Sequence, residues 1–527
     1  MLRKENWKYW ILLLILAYAF IYSVLFCMGV SSFGDDSAYS YLSYSVLNSN
    51  FRQTGYDLSV RVMQFYPIAF FYSIFGYGML AASAWDILTF VGTIGLVFFI
   101  GKELYDDAAG LTASLLFAFS PIVVSFSSTL TDNMPVMFFS ALAMLGVLYG
   151  ERKGSKKWYF LSGISLVAGI LVMPLGFVIL AIVVLFLLAE ILRHRIKIDK
   201  KLSYLAVGFA AALAISFIFN YINAGDPFIT LETTFNFFTG TGANAIVAAN
   251  TNLDFYITVM FPYHVLGTVW QNLLSGNFNP LSIYQRMPGY DISRVGFYFY
   301  AIFLSLLYLL VKREKGAYYA AFWFLIGFLL LEFDPLHVSL QPFVYMLQHR
   351  LDRYLSLIMP AGAILLGIAC SSLIQIGVKR KNVVFFALPT VIILLLIATA
   401  VPSNIYWYQT VASQRYDTVA IANYLNVLPN NKRIYYANSA YNLVDYMGFN
   451  NVSRFSVYDW IKNCTSMQTN SYIILPRFIN LYGLNYTPDP SSYCPWWRLI
   501  LAPNDSAKYG QDITGSAYPF HVNLYYT

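Results

Sequence analysis

The sequence predicts a polytopic α-helical membrane protein of about eleven transmembrane helices, with interfacial helices in its first outer loop and a small C-terminal extracytoplasmic α/β domain. Three observations carry this. Apolar residues make up 58% of the chain and charged ones only 11%, against about 25% charge in soluble domains. Apolar runs near twenty residues, the length that crosses a ~30 Å hydrocarbon core, recur over the first four hundred positions. Lys and Arg are also distributed unevenly between alternate connecting segments.

The runs fall at 10–30, 80–100, 111–127, 133–150, 158–173, 175–191, 202–219, 295–311, 317–333, 353–377 and 383–401. The first is too long for a cleavable leader and no clean Ala-x-Ala site follows it, so it reads as an anchor. With the N-terminus inside, the cytoplasmic segments hold 19 of the 33 Lys and Arg, while the outer loops before residue 402 hold six. That bias favours a cytoplasmic N-terminus and an outer C-terminus. Four Asn-x-Ser/Thr sequons, at Asn451, Asn463, Asn485 and Asn504, lie in the tail, where such sites are meaningful on an outer face. Cys464 and Cys494 are also in the tail and fit a disulfide in an oxidising compartment.

Residues 1–402 form the predicted membrane domain and 403–527 the outer domain, with outer loops at 31–79 and 220–294. The semi-apolar stretches Met63–Phe75 and Phe255–Trp270 read as interfacial helices. In the tail, Asp417–Leu425 is patterned as a helix, and Lys432–Ala437 and Tyr472–Leu475 as strands.

The charges at span ends are the informative residues, because a carboxylate at the membrane is costly without a task. Asp35 and Asp36 follow the first span, Asp132 precedes the fourth, and Glu332 and Asp334 end the ninth, all on the predicted outer side. Singly, the acid pair fits a solvated loop and Asp132 fits a helix N-cap. Together, three acidic clusters on one face fit a general base or a divalent cation site at Asp35, Asp36 and Asp132, with Mg²⁺ or Mn²⁺ as the ions suited to carboxylates. All six outer basic residues before 402 are Arg, whose planar fork suits phosphate. Arg350 and Arg353 in His349-Arg-Leu-Asp-Arg-Tyr354 are the candidates, and interfacial snorkelling is the alternative. His337 and His349 fit either an accessory site or interfacial hydrogen bonding.

These motifs resemble the GT-C class of integral membrane glycosyltransferases, with the likeness running to protein O-mannosyltransferases, lipid A aminoarabinose transferases and Rgt-type transferases. The acid pair followed by Tyr39, then Tyr66-Pro67-Ile68 with Phe75-Gly76, resembles the first outer loop of that class. Leu104–Gly110 resembles its cytoplasmic turn, Phe119-Ser-Pro121 the end of its third span, and Thr131-Asp132 with Phe138-Phe139 its second acidic motif. Gly163, Gly169 and Met173-Pro174 resemble its fifth span, and Arg353-Tyr354 with Met359-Pro360 its late motif. Two departures stand out. The second acid is Asp36 where mannosyltransferases are expected to carry Glu, and Gln64 and Phe65 replace a basic residue before Pro67, for which Arg61 is the substitute. Trp496-Trp497 is followed by Arg498, so the oligosaccharyltransferase motif is not formed.

The resemblance implies an inverting glycosyltransferase that moves one sugar from a polyprenyl-phosphate donor to an acceptor hydroxyl on a protein, lipid or glycan. Asp35 or Asp36 is the expected base, and Asp132 is expected to hold the acceptor, the base or a metal. Arg353, Arg350, Arg61 and Tyr354 are expected at the donor phosphate, and Tyr39, His337, His349 and Glu332 are accessory. The expected location is the plasma membrane of a prokaryote. A transporter or flippase, and a non-catalytic anchor for a surface domain, are the alternatives. The dispersed net charge of +7 gives no reason to expect nucleic acid.

Overall fold

The computed structural model describes residues 6–27, 35–55, 57–193, 200, 202–239, 255–261, 297–333, 335–340, 343–347, 352–426, 433–437, 452–455, 471–476, 498–501 and 522–526. Each of the eleven predicted spans coincides with a helix. Helix α1 spans Trp7–Leu25, α2 Asp35–Leu47, α3 Val62–Phe75, α4 Met79–Leu104 and α5 Asp107–Phe119. They are followed by α6 (Asn133–Lys153), α7 (Lys156–Val172), α8 (Gly176–Leu192), α9 (Ser203–Ala224) and α10 (Ile229–Thr239). Then come α11 (Tyr298–Lys312), α12 (Ala317–Glu332), α13 (Met359–Arg380) and α14 (Val383–Asn426).

Among the described residues, six helical segments are long and apolar enough to cross a membrane: α1, α4, α6, α9, Arg353–Arg380 and Val383–Ile405. The other five predicted spans are helices of 13 to 17 residues. The chain is an integral membrane protein by this content. The most apolar 18-residue windows of α6 and α13 are 83% and 89% buried, against 17% in α9 and α14. The former pair makes the centre of the bundle, and the latter present Ile215, Ile218, Leu394 and Leu395 to the lipid side.

Local chemistry sets the boundaries. Asp106 caps α5 by accepting the backbone N–H of Ala109 at 2.7 Å, as N-cap acids do. The same carboxylate accepts from Ser371 Oγ at 2.7 Å and Gln375 Nε2 at 2.9 Å, fastening α5 to α13. Helices α7 and α9 touch backbone to backbone. A Cβ on Gly163 would strike the carbonyl of Leu205, and one on Gly208 that of Phe160. Small residues allow this approach between membrane helices, where packing rather than hydrophobicity drives association.

The connection between α1 and α4, expected on the outer side, holds helices as expected: α2, a 3₁₀ turn at Asp57–Val60, and α3. Their apolar faces gather Tyr39, Leu58, Phe65, Ile68 and Tyr72 with Ala81, Ala82 and Leu130. Only Phe255–Met260 of the second expected interfacial helix lies within the described residues as helix. Strands β1 (Pro335–Leu340) and β2 (Phe343–Leu347) form an antiparallel pair, and a second 3₁₀ turn, Asp352–Ile358, leads into α13.

Towards the C-terminus, α14 runs unbroken past residue 402 to Asn426. Beyond it lie β3 (Arg433–Ala437), β4 (Val452–Phe455), β5 (Ser471–Pro476), β6 (Arg498–Leu501) and β7 (Val522–Tyr526). They form one five-stranded sheet ordered β4-β3-β5-β7-β6. Strand β3 is parallel to both neighbours, while β7 is antiparallel to β5 and β6. Both predicted strands and the predicted helix of the tail are present. Cys464, Cys494 and the four sequon asparagines lie outside the described residues.

Candidate active site

Four elements converge at one end of the bundle. Helix α2 begins with Asp35 and Asp36, Arg61 precedes α3, Asp132 precedes α6, and Arg353 lies in the 3₁₀ turn before α13.

Asp132 occupies the N-cap position of α6 but makes no capping hydrogen bond. Its carboxylate turns to Arg61 instead, with Nη1 2.6 Å from Oδ2. Tyr39 completes a triangle: its hydroxyl accepts from Arg61 Nη1 at 2.7 Å and donates to Asp132 Oδ2 at 2.9 Å. Nη2 of Arg61 pairs with Asp57 one turn earlier. Tyr39 and Asp132 are fully buried and Arg61 is 5% exposed. Burial, reinforced by the surrounding carboxylates against the opposing effect of Arg61, pushes the Tyr39 hydroxyl well above its usual range. It therefore stays protonated and remains a donor to Asp132. Gln64 Nε2 donates to the Thr131 carbonyl at 2.9 Å, fixing the residue before the acid.

Asp35 is the accessible acid of the cluster, with its side chain 37% exposed against 4% for the whole of Asp36. Its Oδ2 accepts from Arg353 Nη2 at 3.1 Å, across 318 positions of sequence. Burial raises its carboxyl, but Arg353 and then Arg61 outweigh that and hold it below the usual carboxylate range. The carboxylate is ionised throughout the neutral range. Arg353 also lies over the ring of Tyr354, 5.5 Å from its centroid. The backbone of this turn is pinned by Asn133, whose Nδ2 donates to the Arg353 carbonyl at 3.0 Å and to Ser356 Oγ at 3.1 Å.

Thus Asp35, Asp36, Tyr39, Arg61, Asp132, Arg353 and Tyr354 share one end of the fold. Glu332 ends α12 and is buried there. His337 lies in β1, and His349 and Arg350 fall outside the described residues. The expected metal set of Asp35, Asp36 and Asp132 is not assembled. Asp35 and Asp132 face separate guanidinium groups, and among the described residues no three acidic, His or Cys side chains converge on an ion position. Two groups were missed by the sequence reading. Asp57 stands four residues before Arg61, a spacing that signals a helical pair. Asp86 lies inside α4 with no exposed surface, and its Oδ1 accepts from the Thr131 N–H at 3.4 Å. An acid in the middle of a span is itself a functional signal.

Residues 60–219 match the family model of dolichyl-phosphate-mannose-protein mannosyltransferases. That interval contains Arg61, Asp86 and Asp132 but not Asp35 or Arg353. No curated protein sequence matches the chain. Among solved structures, ArnT from Cupriavidus metallidurans in the apo state is 15% identical over 97% of both chains, with a TM-score of 0.60. The same protein bound to undecaprenyl phosphate is 12% identical over 97% of both chains, with a TM-score of 0.58. The Archaeoglobus fulgidus oligosaccharyltransferase is 14% identical over 90% of this chain and 70% of its own, with a TM-score of 0.52, and has also been crystallised with zinc and sulfate. The chain has the fold of these integral membrane proteins. The GT-C glycosyltransferase reading of the motifs is borne out at that level by the fold and by the transferase family model.

Proposed function

We propose that the chain transfers a single sugar from a polyprenyl-phosphate donor to an acceptor hydroxyl, with inversion, using Asp35 as general base. The observation that carries this reading is the Asp35–Arg353 pair. It joins an accessible, ionised carboxylate to a guanidinium at the end of a helical bundle, beside a buried scaffold that holds both chain segments in place.

The acceptor oxygen attacks the anomeric carbon and forms the new C–O bond. The bond from that carbon to the phosphate oxygen breaks, its electron pair leaves with the polyprenyl phosphate, and the acceptor proton passes to Asp35. Arg353 stabilises the charge growing on the departing phosphate. One consequence links the two residues. When the donor phosphate draws Arg353 away, Asp35 loses the partner that most depresses its pKa and becomes a stronger base as the substrate seats. Arg61, already held by Asp57, Asp132 and Tyr39, serves as the organising cation of the site rather than a free phosphate ligand. No step is routed through a metal. The membrane part, 1–402, carries the chemistry and 403–527 selects the acceptor. The N-terminus is cytoplasmic and the site faces outward, at a prokaryotic plasma membrane.

The test is release of polyprenyl phosphate in proteoliposomes given a panel of polyprenyl-phosphate hexoses and pentoses, with a crude membrane extract as acceptor source. Wild type releases the lipid phosphate, and Asp35→Asn loses at least ~100-fold, the scale of a general base. No release from any donor, or release indifferent to Asp35→Asn and Arg353→Gln, overturns the reading.

A further inference from the structure

At the end of the bundle opposite Asp35, helices α8, α11 and α12 enclose a cavity of ≈ 260 Å³ with two kinds of wall. Leu306, Leu309, Leu310 and Ala321 form an apolar flank along α11 and α12, and Arg193, Arg313 and Lys315 stand at the mouth. From this juxtaposition we propose a binding site for one anionic phospholipid, its phosphate among the three cations and an acyl chain along the apolar flank. The proposal is independent of the transferase reading.

The cations are arranged unequally. Arg193 is stacked over the Tyr318 ring, 4.3 Å from its centroid, and lies 3.7 Å from Glu190. The stack holds a planar donor fork at a fixed place. Glu314, the acid of the mouth, lies 3.5 Å from Lys312. Arg313 and Lys315 form no ion pair among the described residues, so two positive charges at the mouth are uncompensated there. Arg313 is also held in the left-handed region, at φ 55°, as the C-cap of α11, with its N–H donated to the carbonyls of Leu309 and Leu310. Glycine is the usual residue at such a cap. An arginine there accepts a backbone conformation that L side chains rarely adopt, and the return is a guanidinium at the mouth. Basic pockets between membrane helices on the cytoplasmic side, where anionic lipids concentrate, take lipid headgroups. The surrounding chain ends fit that side, since Lys102 and Arg152 cluster at the same ends of α4 and α6.

The experiment uses the full chain in neutral detergent, titrated with phosphatidylglycerol, phosphatidylcholine and inorganic phosphate while bound lipid and unfolding temperature are followed. Phosphatidylglycerol is expected to bind in preference to both others. Arg313→Gly combined with Lys315→Gln is expected to weaken it at least about tenfold, taking each surface cation as worth about fivefold. Glycine suits the left-handed cap, so the unfolding temperature without lipid stays at or above wild type, which separates lost binding from lost folding. Arg193→Gln, which leaves the cap untouched, is expected to weaken binding as well. Equal binding of phosphatidylcholine, or phosphatidylglycerol binding unchanged in both variants, overturns the proposal. Inorganic phosphate binding as tightly as the lipid marks a free-anion site and overturns it too.

Discussion

Asp132 stands where an acid would cap α6, yet its carboxylate is given to Arg61, 2.6 Å away, in a pocket closed to solvent. The pair joins the loop between α1 and α4 to the start of a central helix, with Tyr39 sharing Nη1 and Asp57 paired to Nη2 of the guanidinium. Removing one partner of a buried pair costs about 3–5 kcal/mol, because the other charge is left uncompensated. Arg61→Gln is therefore expected to lower the unfolding temperature sharply, stranding both Asp57 and Asp132. Tyr39→Phe leaves the ion pair in place and removes one hydroxyl, for a loss of about 1–2 kcal/mol. Thermal unfolding of the two variants side by side checks the order, and equal stability would remove Arg61 as the organising cation.

The Asp35 carboxyl is depressed by Arg353 and Arg61, which fixes the sign of its pH dependence. A group with a lowered folded pKa contributes above its unfolded value, about 4 for a carboxylate, and its contribution fades as pH falls through the lower folded value. As a base, Asp35 thus keeps turnover through mildly acidic conditions. Arg353→Gln withdraws the chief depressing charge, so the acidic limb of the kcat/KM profile moves to higher pH, and the rate on the plateau falls because the leaving phosphate loses its cation. A limb that stays in place would assign the base elsewhere.

Much of this site was legible because its residues are anomalies of composition. Asp35, Asp36, Asp132 and Arg353 are charges next to long apolar runs, and a membrane chain keeps few of those without a reason. What the sequence could not carry is who faces whom. Arg61 reads as a phosphate ligand until the fold brings the residue before α3 beside the residue before α6, setting Asp132 against it across 71 positions of sequence. Asp57 gives no clear sequence signal, because its helical turn is only four residues long. Asp86 passed unnoticed because one carboxylate barely lowers the hydropathy of a 26-residue helix.

Asp86 ties α4 to the segment that delivers Asp132, through the Thr131 N–H, and Ser83 does the same through the Ser128 carbonyl at 2.7 Å. Asp86→Asn keeps the acceptor and removes only the ionisable carboxyl, so it is expected to unfold no earlier than wild type. Asp86→Leu leaves the Thr131 N–H without its acceptor, at a cost of about 1–3 kcal/mol, and displaces Asp132, so turnover falls with it. Unfolding temperature and sugar transfer measured on both variants decide this. An Asn variant as damaged as the Leu variant would mean that the carboxyl group itself, not this hydrogen bond, is what the fold requires.

The contact of α7 with α9 makes the last prediction. At Gly208 a Cβ would overlap the Phe160 carbonyl, a backbone atom that cannot swing aside, whereas at Gly95 in α4 nothing lies within 4 Å of the added carbon. Valine carries the same chemistry to both places, so helix propensity and hydrophobicity cancel in the comparison. Gly208→Val must separate two helices along their length or fail to fold, and overpacking of this kind costs about 1–3 kcal/mol or more. Gly95→Val meets open space and is expected to be near neutral, since glycine is a poorer helix former than valine by only a few tenths of a kcal/mol. Detergent-solubilised yield and unfolding temperature report on both. Equal behaviour of the two variants would mean that α7 and α9 are not held at backbone contact.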